Sequence, residues 1–103
     1  MSRRLPIRVV RTAADQILEA SAWWKANRPK APEAFREEIA RAFELVSAQP
    51  YIGARAENVK LADVRRIHIS RIRYDLYYRV KAPPKIVEIL AFWHASRGVG
   101  PEL

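Results

Sequence analysis

Two different spacings of apolar residues divide the chain into elements. Alternation of apolar and other residues over Leu5–Arg11 predicts a short first strand. Apolar positions three and four residues apart then predict a helix from Thr12 to about Ala26, with Thr12 and Asp15 forming a capping-box-like start. Two closely spaced prolines end this helix, and the clearest helical period in the chain predicts a second helix over about 32–48. The N-terminal half is therefore expected to form a strand followed by a helical hairpin.

The period becomes two in the C-terminal half. A turn at Pro50–Gly53 and an irregular connection over 54–63 precede three strands, predicted over 64–69, Tyr74–Val80 and Ile86–His94. The connections between these strands are short, which is typical of an antiparallel meander. The expected fold class is α+β: one domain with an N-terminal strand, an antiparallel two-helix hairpin and a three-stranded antiparallel meander packed on the helices.

Strand alternation also assigns side chains to the two faces of the sheet. An apolar set is expected to lie under the helices: Ile67, Ile69, Leu76, Tyr78, Val80, Val87, Ile89, Ala91 and Trp93. The second face is expected to be open to solvent and to collect Arg66, His68, Asp75, Tyr77, Arg79, Glu88, Leu90, Phe92 and His94. Both histidines are thus expected on the same face.

The chain is strongly basic, and the charge is unevenly spread. Its 103 residues carry 19 Lys and Arg against 11 Asp and Glu, a formal net charge of +8. The excess lies at the N-terminus and over residues 50–81, and most of the bases are arginines, whose planar fork suits bidentate contact with phosphate or carboxylate. A nucleic acid or an acidic protein surface is therefore an expected partner.

Several classes of protein are excluded or disfavoured by composition. The sequence has no cysteine, so disulfide scaffolds, thiolate catalysis and Cys-ligated metal sites are excluded. The longest apolar run, Ile89–Trp93, is far shorter than the roughly 20 residues of a membrane span. With only two histidines and no phosphate-binding or zinc-protease motif, no metal and no cofactor is expected. The expected location is the cytoplasm.

One set of residues on the second face could cleave RNA. A base that takes the 2′-hydroxyl proton, an acid for the leaving oxygen and cations for the phosphoryl charge would suffice. His68 and His94 could move the protons, and Arg66 and Arg79 could stabilise the charge. A histidine in a strand is more often an ordinary surface or core residue, so this set stays one hypothesis among others.

The order of elements and a series of short motifs resemble the ParE/RelE superfamily, the toxins of bacterial type II toxin–antitoxin modules. The resemblance covers nearly the whole chain and rests on Trp24, Asn27-Arg28-Pro29 and Phe35 in the hairpin, Pro50-Tyr51-Ile52-Gly53, Arg65-Arg66-Ile67, Tyr77-Tyr78-Arg79-Val80 and Trp93-His94-Ala95-Ser96-Arg97. It implies a basic toxin that a cognate, ParD-like antitoxin with an acidic toxin-binding tail neutralises in a hetero-oligomer.

Two activities diverge within this superfamily. RelE-like members are ribosome-dependent mRNA endonucleases, whereas ParE-like members inhibit DNA gyrase and are not themselves enzymes. The sequence has no lysine over residues 61–80 and no tyrosine after Tyr78, which departs from the RelE pattern. The ParE-like activity is therefore favoured, with the mRNA endonuclease as the alternative and a degenerate, purely antitoxin-binding protein as a further one.

The resemblance also suggests which residues meet each partner. The target is expected to contact Arg65, Arg66, Arg73, Arg79, His94 and Arg97. The antitoxin is expected to dock on the apolar rim of the hairpin, at Trp23, Trp24, Phe35, Ile39 and Phe43. By its helical position, Trp24 is expected in the core and Trp23 at its flank.

Overall fold

Two helices and five strands make up the part of the chain that the computed structural model describes, residues 3–57 and 59–103. In chain order they are β1 (Ile7–Val9), α1 (Arg11–Asn27), α2 (Ala34–Ala48), β2 (Ala54–Arg55), β3 (Arg65–Ile69), β4 (Tyr74–Lys81) and β5 (Ile86–His94). Neither helix is long and apolar enough to cross a membrane, within these described ranges.

The five strands form a single mixed sheet in the order β1-β5-β4-β3-β2. The predicted meander of β3, β4 and β5 is confirmed, with antiparallel pairing throughout. The sheet is larger than predicted, because β1 pairs in parallel with β5 and β2 pairs with β3 inside the segment predicted to be irregular. The α+β class is confirmed, and the sheet has one additional strand at each edge of the meander.

The start of α1 differs from the predicted capping box. The helix begins at Arg11 with Val10 as its N-cap residue, and no side-chain hydrogen bond caps it among the described residues. The backbone N–H of Ala14 donates to the carbonyl of Val10 at 2.9 Å, and Asp15 lies 3.5 Å from the Arg11 guanidinium in an exposed pair. The predicted capping box is therefore wrong: Val10 alone separates β1 from α1, so Thr12 already lies inside the first turn of the helix.

A β-bulge in β5 changes the alternation of the sheet. Tyr77 pairs with Ala91, but the next residue, Tyr78, pairs with Ile89, so Leu90 has no partner of its own in β4. One extra residue in a strand shifts every later side chain to the other face. The face assignment is therefore confirmed before Leu90 and wrong after it.

The residues after the bulge exchange faces. Phe92 and His94, predicted on the second face, lie on the helix side, paired with Leu76 and Tyr74. Ala91 and Trp93, predicted under the helices, pair with Tyr77 and Asp75 and lie on the outer face. We call the side of the sheet away from the helices the outer face.

The bulge leaves the sheet with an apolar cluster on each side. The larger cluster joins the helices to the sheet, and within it Phe35 of α2 meets the rings of Tyr74 and Phe92 edge-on. The Tyr74 and Phe92 rings stack in parallel with centroids 4.5 Å apart. The smaller cluster lies on the outer face and is built from Val64, Tyr77, Leu90 and Ala91.

The outer face is not fully open, contrary to expectation. Residues 59–61 and the C-terminal residues cover its apolar cluster, and Leu103 packs against it. The backbone N–H groups of Lys60 and Leu61 donate to the Leu103 carbonyl at 2.8 and 3.2 Å, and Trp93 Nε1 donates to the Val99 carbonyl at 2.8 Å. The C-terminal segment is thus part of the folded domain.

One buried carboxylate ties three strands together on the outer face. Glu88 of β5 is only 4% exposed, and it accepts hydrogen bonds from Arg8 of β1 and, at 2.8 Å, from Nε of Arg79 in β4. Burial by itself raises the pKa of Glu88, but the hydrogen bonds and charges of the two arginines outweigh burial and lower the pKa below its ordinary value of 4.5. Glu88 therefore stabilises the folded state as a carboxylate.

We expect Glu88→Gln to reduce the free energy of unfolding at pH 7 by about 1.5–3 kcal/mol, the contribution of hydrogen bonds to a charged group. A group whose pKa is lowered by folding stabilises the protein above its unfolded pKa and loses that contribution as the pH falls. The difference between wild type and variant should therefore shrink as the pH falls below 4.5. Urea denaturation at a series of pH values measures it.

Glu44→Gln is the matched control, because Glu44 pairs with Arg4 at an exposed site and should contribute less than about 1 kcal/mol. Equal losses in the two variants would contradict the role assigned to Glu88.

Candidate functional site

An apolar groove of about 390 Å³ runs between α1 and α2. Ile17, Leu18 and Trp24 form its α1 wall, and Phe35 and Ile39 form its α2 wall. Charged side chains stand at its rim: Lys25, Glu33 and Arg36. An apolar floor with a charged rim is the form of a groove that receives the apolar face of a helix.

Leu18 is the most conspicuous residue of this groove, because 68% of it is exposed. Leu18 is not among the residues predicted from the sequence to bind the antitoxin, although Ile17 and Leu18 are adjacent apolar residues of the predicted first helix. Neighbouring helix residues point about 100° apart, so Leu18 is turned away from the direction in which Ile17 packs against the core. That adjacency is the signal that could have identified Leu18 as a surface residue.

The two adjacent tryptophans have the environments predicted for them. Trp24 is buried, and its Nε1 donates to the Ala31 carbonyl at 2.8 Å, which fixes the connection between the helices. Trp23 is 47% exposed, and the Arg28 guanidinium lies 5.6 Å from its ring centroid. Trp24 therefore supports the hairpin, whereas Trp23 offers an aromatic surface to a partner.

Trp23 does not lie in the helical groove. It lines a second hollow, of about 520 Å³, between α1 and the end of the sheet, which also contains Glu19, Tyr74, His94 and Arg97. The residues predicted to bind the antitoxin are thus divided. Trp24, Phe35 and Ile39 line the groove, Trp23 lines the second hollow, and Phe43 packs against the core as a half-buried residue.

Two of the arginines predicted to contact the target are occupied within the chain. Arg79 is bound to Glu88 as described above. Arg65 donates from Nη1 to the carbonyls of Tyr51 and Gly53, at 3.1 and 2.7 Å. Both side chains therefore have a structural role in addition to any contact they make with a partner.

The other three predicted arginines form no ion pair with any acid in residues 3–57 and 59–103: Arg66, Arg73 and Arg97. Arg66 and Arg97 line a common hollow of about 200 Å³ at the end of the outer face. Arg73 occupies the β3–β4 turn with φ 62°, and its carbonyl accepts a hydrogen bond from Ala95 at 2.9 Å. We call these three residues the unpaired arginines.

Of the four residues proposed for RNA cleavage, Arg66 and His94 line the same hollow of about 200 Å³, whereas His68 and Arg79 are not among its lining residues. His68 lies on the outer face, where its Nδ1 is 2.8 Å from Oδ1 of the buried Asp75. The His94 ring lies on the helix side, edge-on to Tyr74 at 5.0 Å, and its Nδ1 accepts from the Ser96 N–H. The bulge thus separates the two histidines, and Arg79 is bound to Glu88.

Comparison with known proteins identifies the family. The sequence profile of the family described as "ParE toxin of type II toxin-antitoxin system, parDE" matches residues 7–99. The chain belongs to this ParE toxin family. The chain is also similar to a solved structure described as "Chromosomal ParDE TA system from P. aeruginosa", with a TM-score of 0.72 and 20% identity. The match covers 90% of this chain and 98% of that chain. No curated protein matches the sequence.

Membership of the ParE toxin family makes this chain the toxin of a type II module and implies an antitoxin partner. The likeness to the P. aeruginosa chain, at 20% identity, shows that the fold is shared. The predicted resemblance and fold class are thereby confirmed.

The groove of this ParE-family chain separates residues that hold the fold from residues that a partner can use. Phe35→Ala should lower the free energy of unfolding by about 3–5 kcal/mol, because Phe35 is buried against two aromatic rings. Leu18→Ala should change it by less than about 0.5 kcal/mol, because Leu18 is exposed. Urea denaturation measures both, and a large loss for Leu18→Ala would show that this residue belongs to the core.

Proposed function

We propose that this ParE-family toxin inhibits DNA gyrase in the bacterial cytoplasm through direct contact, without chemistry of its own. The family match over residues 7–99 is the observation that carries the proposal. The arrangement of the histidines supports it, because His68 is bound to Asp75 and does not line the hollow that Arg66 and His94 share.

The unpaired arginines are the residues that we assign to the target. Arg79 is already bound to a buried carboxylate. If Arg79 moved to an acid of the target, that carboxylate would stay buried without its partner, which costs considerable free energy. An arginine with no acid partner avoids this cost. Arg66, Arg73 and Arg97 are therefore better suited to an acidic surface than Arg65 and Arg79.

A supercoiling assay with purified toxin, gyrase, ATP and relaxed plasmid tests the proposal. We expect the wild-type chain to block supercoiling or to leave cleaved plasmid, while ribosome-bound mRNA in a parallel reaction stays intact. Replacement of the three unpaired arginines by glutamine should raise the toxin concentration needed for half-inhibition at least about tenfold, equivalent to about 1.4 kcal/mol. Cleaved mRNA with normal supercoiling would contradict the proposal in favour of the endonuclease.

The matched control removes three other exposed positive charges: Lys25, Lys30 and Lys60. This variant should inhibit gyrase as well as the wild type does, since the same change in net charge leaves the unpaired arginines in place. An equal loss in both variants would mean that the target responds to net charge alone. Absence of both activities in the wild-type chain would favour the degenerate, antitoxin-binding protein.

We further propose that the antitoxin lays an amphipathic, acidic segment into the helical groove and over Trp23. The groove provides apolar side chains from both helices, and Leu18 and Trp23 are large apolar residues whose exposure is otherwise unfavourable. Lys25, Arg36 and Arg28 stand beside these two surfaces and can pair with acids of the segment. The toxin and antitoxin would then form the hetero-oligomer expected from the sequence.

The second hollow explains how such binding would neutralise the toxin. Trp23 shares this hollow with His94 and Arg97, two of the residues predicted to contact the target. A segment seated over Trp23 would therefore cover part of the target surface. Neutralisation would need only this overlap and no change in the toxin's conformation.

Binding of the cognate antitoxin, isolated by its ability to restore growth, tests this second proposal. Leu18→Glu and Trp23→Ala should each weaken the complex by more than about 2 kcal/mol, since central apolar anchors dominate interface energies. Val99→Glu is the control, because Val99 is an exposed apolar residue outside the groove. Calorimetric affinities unchanged in the first two variants would place the antitoxin elsewhere.

A further inference from the structure

A cationic cluster at the other end of the sheet is not explained by either proposed partner site. At its centre is Tyr51, which is 54% exposed in the turn after α2. The Arg65 guanidinium and the Lys85 ammonium each lie 5.3 Å from the centroid of the Tyr51 ring. Arg55 joins them, because it lines the same hollow of about 230 Å³ as Tyr51 and Arg65. We call these four residues the Tyr51 cluster.

Side chains of β3 and β4 form hydrogen bonds to the backbone of the turn that carries Tyr51. The Tyr78 hydroxyl accepts a hydrogen bond from the Gly53 N–H at 2.9 Å, and burial raises the pKa of Tyr78, so this hydroxyl stays protonated. A Cβ at position 53 would lie 2.8 Å from that oxygen and 3.0 Å from the Arg66 carbonyl, which explains the glycine. Arg65 then bonds the carbonyls of Tyr51 and Gly53. The sheet therefore holds the backbone that carries the Tyr51 ring.

The cluster brings like charges together with little compensation. Cations close to one another repel, and the negative face of the Tyr51 ring offsets part of that repulsion. Among the residues that the structure describes, Asp63 is the one acid that lines the hollow. It lies 3.8 Å from Arg55 in an exposed pair that contributes little. Arg65 and Lys85 form no ion pair with an acid among residues 3–57 and 59–103.

We propose that the Tyr51 cluster binds the phosphate backbone of DNA. A backbone phosphate bound by these cations relieves the repulsion between them. Binding also releases counterions from the DNA, which favours the complex. Arginine and lysine side chains are the usual partners of backbone phosphates, and such contacts need no large apolar core. This surface shares no lining residue with the helical groove, so it is separate from the proposed antitoxin site.

The composition of the surface favours a nucleic acid over an acidic protein. Protein–protein interfaces are depleted of lysine at their centres and bury an apolar patch there, whereas protein–DNA interfaces are more polar and more positively charged. Here two cations lie against one aromatic ring on the surface, and a third lines the adjoining hollow. The site would recognise the charge and the spacing of the DNA phosphates and would not distinguish base sequences.

Fluorescence anisotropy with a short labelled DNA duplex, over a series of salt concentrations, tests the proposal. The wild-type chain should bind the duplex with an affinity that falls as salt rises. The double variant Arg55→Gln/Lys85→Gln should bind more weakly, and the slope of log affinity against log salt should decrease by about 1 for each cation removed. Arg65 is left unchanged, because it holds the Tyr51 turn.

The matched control is Lys30→Gln/Arg36→Gln, which removes one lysine and one weakly paired arginine from the helical hairpin. It should keep the wild-type slope. Equal losses in the two variants would overturn the proposal, because binding would then follow net charge alone. Failure of the wild type to bind the duplex at low salt would also overturn the proposal. Poly-glutamate is the parallel probe: if the wild type binds poly-glutamate and not the duplex, the cluster is a site for an acidic protein.

Discussion

A single extra residue in β5 determines how the two sides of this sheet are built. Because Leu90 has no partner in β4, Leu90 and Ala91 both lie on the outer face, and Phe92 returns to the helix side. Phe92 completes the aromatic set with Phe35 and Tyr74, which joins α2 to the sheet. The bulge also coincides with the end of β1, beyond which the Phe92 N–H donates to the side chain of Gln16 at 2.8 Å. Helix α1 thus provides the bond that a neighbouring strand no longer can.

The apolar cluster of the outer face is a consequence of the same bulge. Because two successive apolar residues, Leu90 and Ala91, point to the outer face, the sheet has a second apolar surface, and the segments around Leu61 and Leu103 cover it. These two segments bond to each other through the Leu103 carbonyl. The C-terminal residues are ordered by the apolar surface beneath them, although they contain neither a helix nor a strand.

The features predicted correctly from the sequence are those that the local spacing of apolar residues determines. The bounds of β5 and the hairpin of helices follow from apolar spacing, and the environments of Trp23 and Trp24 follow from helical position. The bulge could not be predicted, because residues 89–93 are all apolar and no polar position fixes their register. The parallel pairing of β1 with β5 joins opposite ends of the chain, which no turn signals. At the candidate site, the error in register placed His94 on the same face as His68.

The arginines of the chain fall into two groups according to whether they are bound to a buried carboxylate. Arg8 and Arg79 lie on either side of the buried Glu88, so their charges stabilise three adjacent strands and are not readily available to a partner. Arg66 and Arg97 line a common hollow, and Arg73 lies in the β3–β4 turn. These three have no acid partner in the described ranges, and the Tyr51 cluster lines a different hollow. Net charge alone would treat all of these arginines alike. A carboxylate that is buried and bound commits its arginines to the fold, and the arginines without such a carboxylate contribute the electrostatic potential that a partner meets.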